Sequence, residues 1–260
     1  MAEPTLAVDY ARLRMRIADF LGYTRVIASW SADDIARIAE CIEGGMNRFL
    51  NPPPIQGYPA AYTWSFLNVS TTLSLVAGTE EYTLPDSFGR LTSRFQFSDQ
   101  KGSIRMKFVP KTIYDETRDM LSTTRTRPIM FCLIPQAVSG TIGQRFKAAF
   151  YPLPDAAYSL RYSYRALTDA LAATGYPPGT AAHGETIALA CLAHADLHVN
   201  KRIGEMEAAF MQALAGSINN DLALNAEYDW LGSAQEPESE VGEIYSQDWF
   251  AQYHGGPVTP

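Results

Sequence analysis

Tyr158-Ser159-Leu160-Arg161-Tyr162-Ser163-Tyr164-Arg165 alternates large apolar side chains with polar ones at a strict period of two. Successive side chains of a strand point to opposite faces. The pattern therefore buries Tyr158, Leu160, Tyr162 and Tyr164 and wets the serines and arginines between them. One dry and one wet face is what an antiparallel sheet requires. Toward the N-terminus the same period recurs in Leu73 and Leu75, in Tyr82 and Leu84, in Phe95 and Phe97, and in Ile104, Met106 and Phe108. Residues 129–134 and 145–151 read as further strands, 111–121 as a short helix between strands, and Gly78-Thr79-Glu80-Glu81 as a turn. Several short strands with Gly/Pro turns between them predict a β-sandwich or small barrel.

On both sides of this region the period becomes helical. Tyr10, Leu13, Ile17 and Phe20 fall on one helix face, and Gly22 supplies the stop. Ser31 and Asp34 form a capping-box pair ahead of the stripe Ile35, Ile38, Ala39, Ile42, Met46 and Phe49. Asn51-Pro52-Pro53-Pro54 ends that helix, because proline cannot continue the hydrogen-bond ladder. After Tyr176-Pro177-Pro178-Gly179, residues 184–203 are apolar almost all round, as in a buried helix. Met206, Phe210, Leu214 and Ile218 continue at i, i+4 spacing, with Gly204 either separating two helices or kinking one. Periodicity ends beyond Leu231. The plan is helices, an all-β insert, helices and a tail, an α+β fold.

An apolar content of 47% provides for a packed core in a chain of one large or two modest domains. The net charge of −7 is unevenly placed. Residues 1–202 hold 21 Lys/Arg against 18 Asp/Glu, whereas residues 203–260 hold ten acids and neither Lys nor Arg. Such asymmetry marks an interaction tail and argues against a basic reader of nucleic acid. Cys41, Cys132 and Cys191 are odd in number and lack a CxxC pair, so buried free thiols in a reducing cytoplasm are expected rather than disulfides or a zinc ribbon. Charges interrupt the N-terminus before a signal-peptide core forms, and no run approaches the ~20 apolar residues that span a bilayer.

Candidate chemistry is sparse. Cys191, His194 and His198 share a helix face, but residues seven apart lie about 10.5 Å apart along the axis. A zinc with bonds of about 2.0–2.3 Å does not reach both ends. His194 and His198 alone could chelate, yet His-Ala-Asp-Leu-His lacks the glutamate of HExxH. Packing is the default expectation, with no metal and no cofactor. Asp33-Asp34 sits where carboxylates favour a helix N-terminus, and Glu80-Glu81 sits in a turn. No nucleophile elbow, phosphate-binding loop or dinucleotide fingerprint occurs, so no catalytic residue is assigned. In the tail, Ile244, Tyr245, Trp249, Phe250 and Tyr253 stand among acids. They either fold back on their own domain or anchor an arm that orders on a partner.

Ordered short patterns also carry a resemblance. Tyr62-Thr-Trp64-Ser-Phe66-Leu67 is followed by Gly78-Thr-Glu-Glu-Tyr82-Thr-Leu84-Pro85-Asp86-Ser-Phe88. Arg127-Pro128 with Phe131 then precedes Gly143-Gln144-Arg145-Phe146, Phe150-Tyr-Pro152-Leu-Pro154-Asp155 and the Tyr158 strand. Across roughly residues 30–165 the chain resembles the adaptor proteins of tailed bacteriophages, the group that includes tail tubular protein A and related head–tail connectors. The resemblance implies a helical bundle from residues 1–58 and 177–231, an inserted antiparallel β-sandwich over 59–176, and leaves 232–260 as an acidic C-terminal arm. It implies a virion protein made in the host bacterial cytoplasm. It also implies a dodecameric ring between portal and tail or nozzle protein, with DNA passing through the centre without sequence-specific binding, no membrane and no catalysis. Other readings are a different phage neck or tail-completion protein, a carbohydrate-binding sandwich with the Tyr158–Tyr164 face exposed, or an enzyme of unrecognised type.

Overall fold

The Tyr158–Ala166 strand lies at the centre of a four-stranded sheet, with Leu160, Tyr162 and Tyr164 buried and Ser159 and Arg161 exposed. The structure, a computed structural model, describes residues 7–55, 57–58, 62–98, 106–120, 125–138, 140, 143–179, 181–201 and 204–230. Its strands are β1 (Asn68–Leu75), β2 (Glu81–Thr83), β3 (Phe88–Leu91), β4 (Gln96–Phe97), β5 (Lys107–Phe108), β6 (Met130–Pro135), β7 (Phe146–Tyr151) and β8 (Tyr158–Ala166). Its helices are α1 (Tyr10–Phe20), α2 (Ala32–Leu50), α3 (Lys111–Met120), α4 (Gly184–Asn200) and α5 (Glu205–Trp230). The fold is α+β.

In the first sheet β8 pairs antiparallel with β1 on one side and with β3 and β4 on the other. The β1 register runs unbroken from Asn68 opposite Arg165 to Leu75 opposite Tyr158. The second sheet has the order β2-β7-β6-β5. Here the expected all-antiparallel arrangement is corrected, because β5 runs parallel to β6. The connection between those strands contains α3, and a helical crossover is what allows two consecutive strands to run the same way. Ile104, expected in the β5 strand, lies outside the described residues.

Aromatic rings from both sheets meet in one core. Phe95 stands edge-on to Phe131 at 4.8 Å and to Phe150 at 5.1 Å, and Phe88 meets Phe146 at 5.6 Å. The other face of the second sheet is also dry, because Tyr114 of α3 packs with Cys132, Ala149 and Tyr151. Among the described residues no helix covers the outer face of the first sheet in this way: β1 is exposed there at Asn68, Ser70, Thr72 and Ser74.

The helices form a separate core. Asp9 caps α1 by accepting from the Arg12 N–H at 2.8 Å, and Gly22, at φ +77°, turns the chain where α1 ends. Ser31 and Asp34 make the expected capping box: the Asp34 N–H donates to Ser31 Oγ at 3.1 Å, and the Ser31 N–H donates to Asp34 Oδ2 at 3.0 Å. Ile38, Ile42, Met46 and Phe49 of the α2 stripe are buried, whereas Ile35 is exposed. On α1, Leu13 and Ile17 of the stripe are buried, whereas Phe20 at its end is exposed. Gly204 stands between α4 and α5, and a Cβ there would overlap the Asp196 carboxylate. The chain divides into two units, Met1–Asp221, which holds the cores described above, and Leu222–Pro260, whose described part is the helical stretch 222–230.

Candidate functional site

Each chemically suggestive group has a structural partner. Cys191 is fully buried on α4, where its thiol lies 3.7 Å from the Ile42 carbonyl oxygen. It therefore points into the α2–α4 contact. His194 Nε2 and His198 Nε2 are 3.1 Å apart, a hydrogen bond when one ring carries the proton, and Glu40 stands 4.0 Å from His198 Nε2. Among the described residues no group of three or more His, Cys, Asp or Glu side chains is placed to hold a metal ion. Asp34 is the capping carboxylate, held below its usual range first by the Ser31 hydroxyl. Glu80 accepts from the Tyr114 hydroxyl at 3.0 Å and pairs with Arg118 at 3.4 Å; Glu81 pairs with Lys147 at 3.0 Å. The structure brings none of these acid pairs onto a shared reacting atom. Ile244, Tyr245, Trp249, Phe250 and Tyr253 lie outside the described residues.

All three cysteines are free and buried. Burial pushes the Cys41 and Cys132 thiols up to about 11 and Cys191 up to about 12. Unfolded thiols ionise near 8.5 or so, so above that pH the unfolded chain releases protons that the folded chain retains. Stability from this source is intact below the unfolded value and is lost as pH rises toward the folded values. Each thiol contributes up to about 1.4 kcal/mol per pH unit within that window. Urea unfolding at several pH values between roughly 8 and 11 checks this, and a flat profile contradicts it.

Two arrangements were not evident from local sequence. The first is a buried junction. Trp64 stacks on Phe49 at 4.5 Å and on Phe66 at 5.4 Å, and its indole N–H donates to the Phe49 carbonyl at 2.8 Å. Beside it, Asp221 of α5 is buried and collects the Tyr62 hydroxyl at 2.6 Å, the Ser65 N–H at 3.0 Å and the Ser65 hydroxyl. The motif that leads into β1 is thus pinned to the helical core. Only the spacing of Tyr62, Trp64 and Phe66 hinted at this; the carboxylate is 156–159 residues away in sequence and gives no local signal.

The second arrangement is a cleft of about 780 Å³ between α2, the ends of β3 and β8, and residues 167–171. Its floor includes Leu50 and Leu67, and its rim carries Glu40, Glu43, Arg90, Arg165 and His194. Arg165 donates to the Leu50 carbonyl at 3.3 Å and to Asn51 Oδ1 at 3.2 Å, while Arg90 donates to Thr63 Oγ1 at 3.0 Å. Such a mixed, open surface can bind chain but shows no nucleophile–base pair among its described residues.

The chain belongs to the SU10 adaptor protein family, whose family model matches residues 8–237. Its members are structural adaptors of phages and components of the virion, and the family is not an enzyme family. No curated protein matches the sequence. Among the described residues no helix is long and apolar enough to cross a membrane.

Proposed function

We propose that this chain is a head–tail adaptor of the tail tubular protein A kind, joining copies of itself into a ring between the portal and the tail or nozzle protein, with DNA passing through the centre. The observation that carries the reading is the family match over residues 8–237. Residues 1–58 with 177–231 serve as the rigid helical wall and 59–176 as the inserted sandwich. Identical subunits that contact head-to-tail close into a ring when the rotation permits. Family expectation sets the ring at twelve copies. The carbohydrate-binding alternative is disfavoured, because Leu160, Tyr162 and Tyr164 face the core and offer no platform for a sugar.

The C-terminal arm, residues 232–260, is proposed to dock on a neighbouring subunit or ring through Ile244, Tyr245, Trp249, Phe250 and Tyr253. Large rings surrounded by carboxylates are effective anchors once a partner desolvates them. Truncation after Leu231 is expected to leave unfolding midpoints within about 2 °C of the full chain while weakening attachment at least about tenfold. Loss of the fold, or undiminished attachment, contradicts this role for the arm. Negative-stain imaging of the full chain mixed with portal rings tests the adaptor reading itself. Capped portal rings are expected, and bare portal at saturating chain rejects the reading.

A further inference from the structure

The exposed face of the first sheet is chemically one-sided. Arg161 and Arg165 project from it on β8, Arg90 from β3, and exposed Arg94 precedes β4, beside the buried Phe95. The other outward strand positions, including Ser70, Thr72, Ser163 and Gln96, carry hydroxyls or amides, and none carries a carboxylate. Arg94 and Arg161 make no ion pair among the described residues, and Arg90 bonds only the Thr63 hydroxyl. The second sheet is built differently: Lys147 pairs with Glu81 at 3.0 Å and Arg145 with Asp86 at 3.1 Å.

Arg90 also stands directly opposite Arg165 in the β3–β8 register. Like charges placed across a strand pair cost stability, and Arg165 offsets part of that cost by donating to the Leu50 carbonyl and to Asn51 Oδ1. Arginine is the cation suited to carboxylates, because its planar fork donates two parallel hydrogen bonds.

We propose that this face receives carboxylates, and that its occupant is the acidic stretch 236–248 of a second copy of the chain. Charge complementarity selects the occupant. Residues 236–248 hold five acids and neither Lys nor Arg, so every copy added to an assembly brings a matching polyanion. Spacing supports it as well. Glu236, Glu238 and Glu240 alternate with Pro237 and Ser239, and Pro237 disfavours a helix interior. In extended form such carboxylates fall on one side about 6.6 Å apart, the repeat that Arg161, Ser163 and Arg165 follow along β8. The 30 residues after Trp230 can span up to ~100 Å, which is ample for reaching an adjacent subunit. This contact rests on the self-assembly proposed above and adds the surface through which it is made.

The experiment is a charge swap in the full chain, read by sedimentation velocity at low and high salt. Wild type is expected to self-associate at about 50 mM NaCl and to weaken at least about tenfold at about 500 mM. R94E/R161E and E236K/E238K/E240K are each expected to weaken association by about tenfold or more, and the combination of all five to restore it. Wild type that remains monomeric, reversals without effect, or a combination that does not recover overturns the proposal. Binding of a short DNA duplex by wild type, lost in R94E/R161E, would assign the face to phosphate and also overturn it. Portal capture by the same variants separates the two ideas. Capture that persists while reversals leave self-association untouched removes this contact and leaves the adaptor reading intact.

Discussion

Gly45→Ala is expected to destabilise the fold by about 3 kcal/mol and to lower the thermal midpoint by roughly 6–12 °C, whereas Gly44→Ala costs much less. The two glycines are adjacent on α2, and both face α4, but what they meet differs. A Cβ on Gly45 would overlap the Cys191 Cα and lie 2.5 Å from its backbone nitrogen. Backbone in the middle of a helix cannot step aside without moving the whole element, so α2 and α4 must separate along their contact. The neighbours that would lose packing are the side chains at the centre of the helical core, Ile42, Met46, Ala190 and Cys191 itself. A Cβ on Gly44 meets the His194 ring instead, a side-chain end that can rotate out toward solvent. Calorimetry of the two variants decides the matter. Equal midpoints, or a Gly45→Ala variant as stable as wild type, would mean that α2 and α4 do not approach at this register.

That pair also shows what a sequence discloses. The α2 helix was legible because each local rule agreed: a Ser31–Asp34 cap, an apolar stripe and a proline stop all appear in the structure. Strand β8 was legible for the same reason, its period being carried by tyrosines too large to mistake. The length of α4 was visible too, but not what lets α2 pack so closely on it. The answer lies in Gly44 and Gly45, which let a second helix close upon it, and glycine has no periodicity to read. Short strands were harder. β3, four residues with a register shift between Phe88 and Arg90, has no alternation long enough to stand out. Parallel pairing of β5 with β6 depends on the crossover through α3 and not on either strand's residues. At the exposed ends of the stripes, Phe20 and Ile35 kept the helical period yet remained at the surface, because periodicity identifies a face and not how far the neighbouring element extends. The arginine face was visible only as polar positions on a strand. Its meaning came from the register that places Arg90 across from Arg165.

Asp221→Ala is expected to cost about 3–4 kcal/mol, more than its loss of a few side-chain atoms explains. The carboxylate is buried and serves three donors: the Tyr62 hydroxyl, the Ser65 N–H and the Ser65 hydroxyl. Hydrogen bonds to a charged group contribute about 1.5–3 kcal/mol each, though not additively when they share one acceptor. Removing the acceptor leaves those donors without it, while removing one donor leaves the carboxylate with two. Tyr62→Phe should therefore cost only about 1–2 kcal/mol, and Asp221→Asn, which keeps one acceptor oxygen, should fall between. Burial and the neighbouring carboxylate also hold the Tyr62 hydroxyl protonated well above the usual tyrosine range. Above about pH 10 unfolded tyrosine ionises while folded Tyr62 does not, so this residue's contribution falls as pH rises from there. Tyr62→Phe removes this residue's share of that slope. A double-mutant cycle between Tyr62→Phe and Asp221→Ala tests the coupling. Purely additive costs would show that the two side chains do not act together. Strong coupling would mean that the chain's path into β1 is held by a residue of α5, so that a pull on one element is felt by the other.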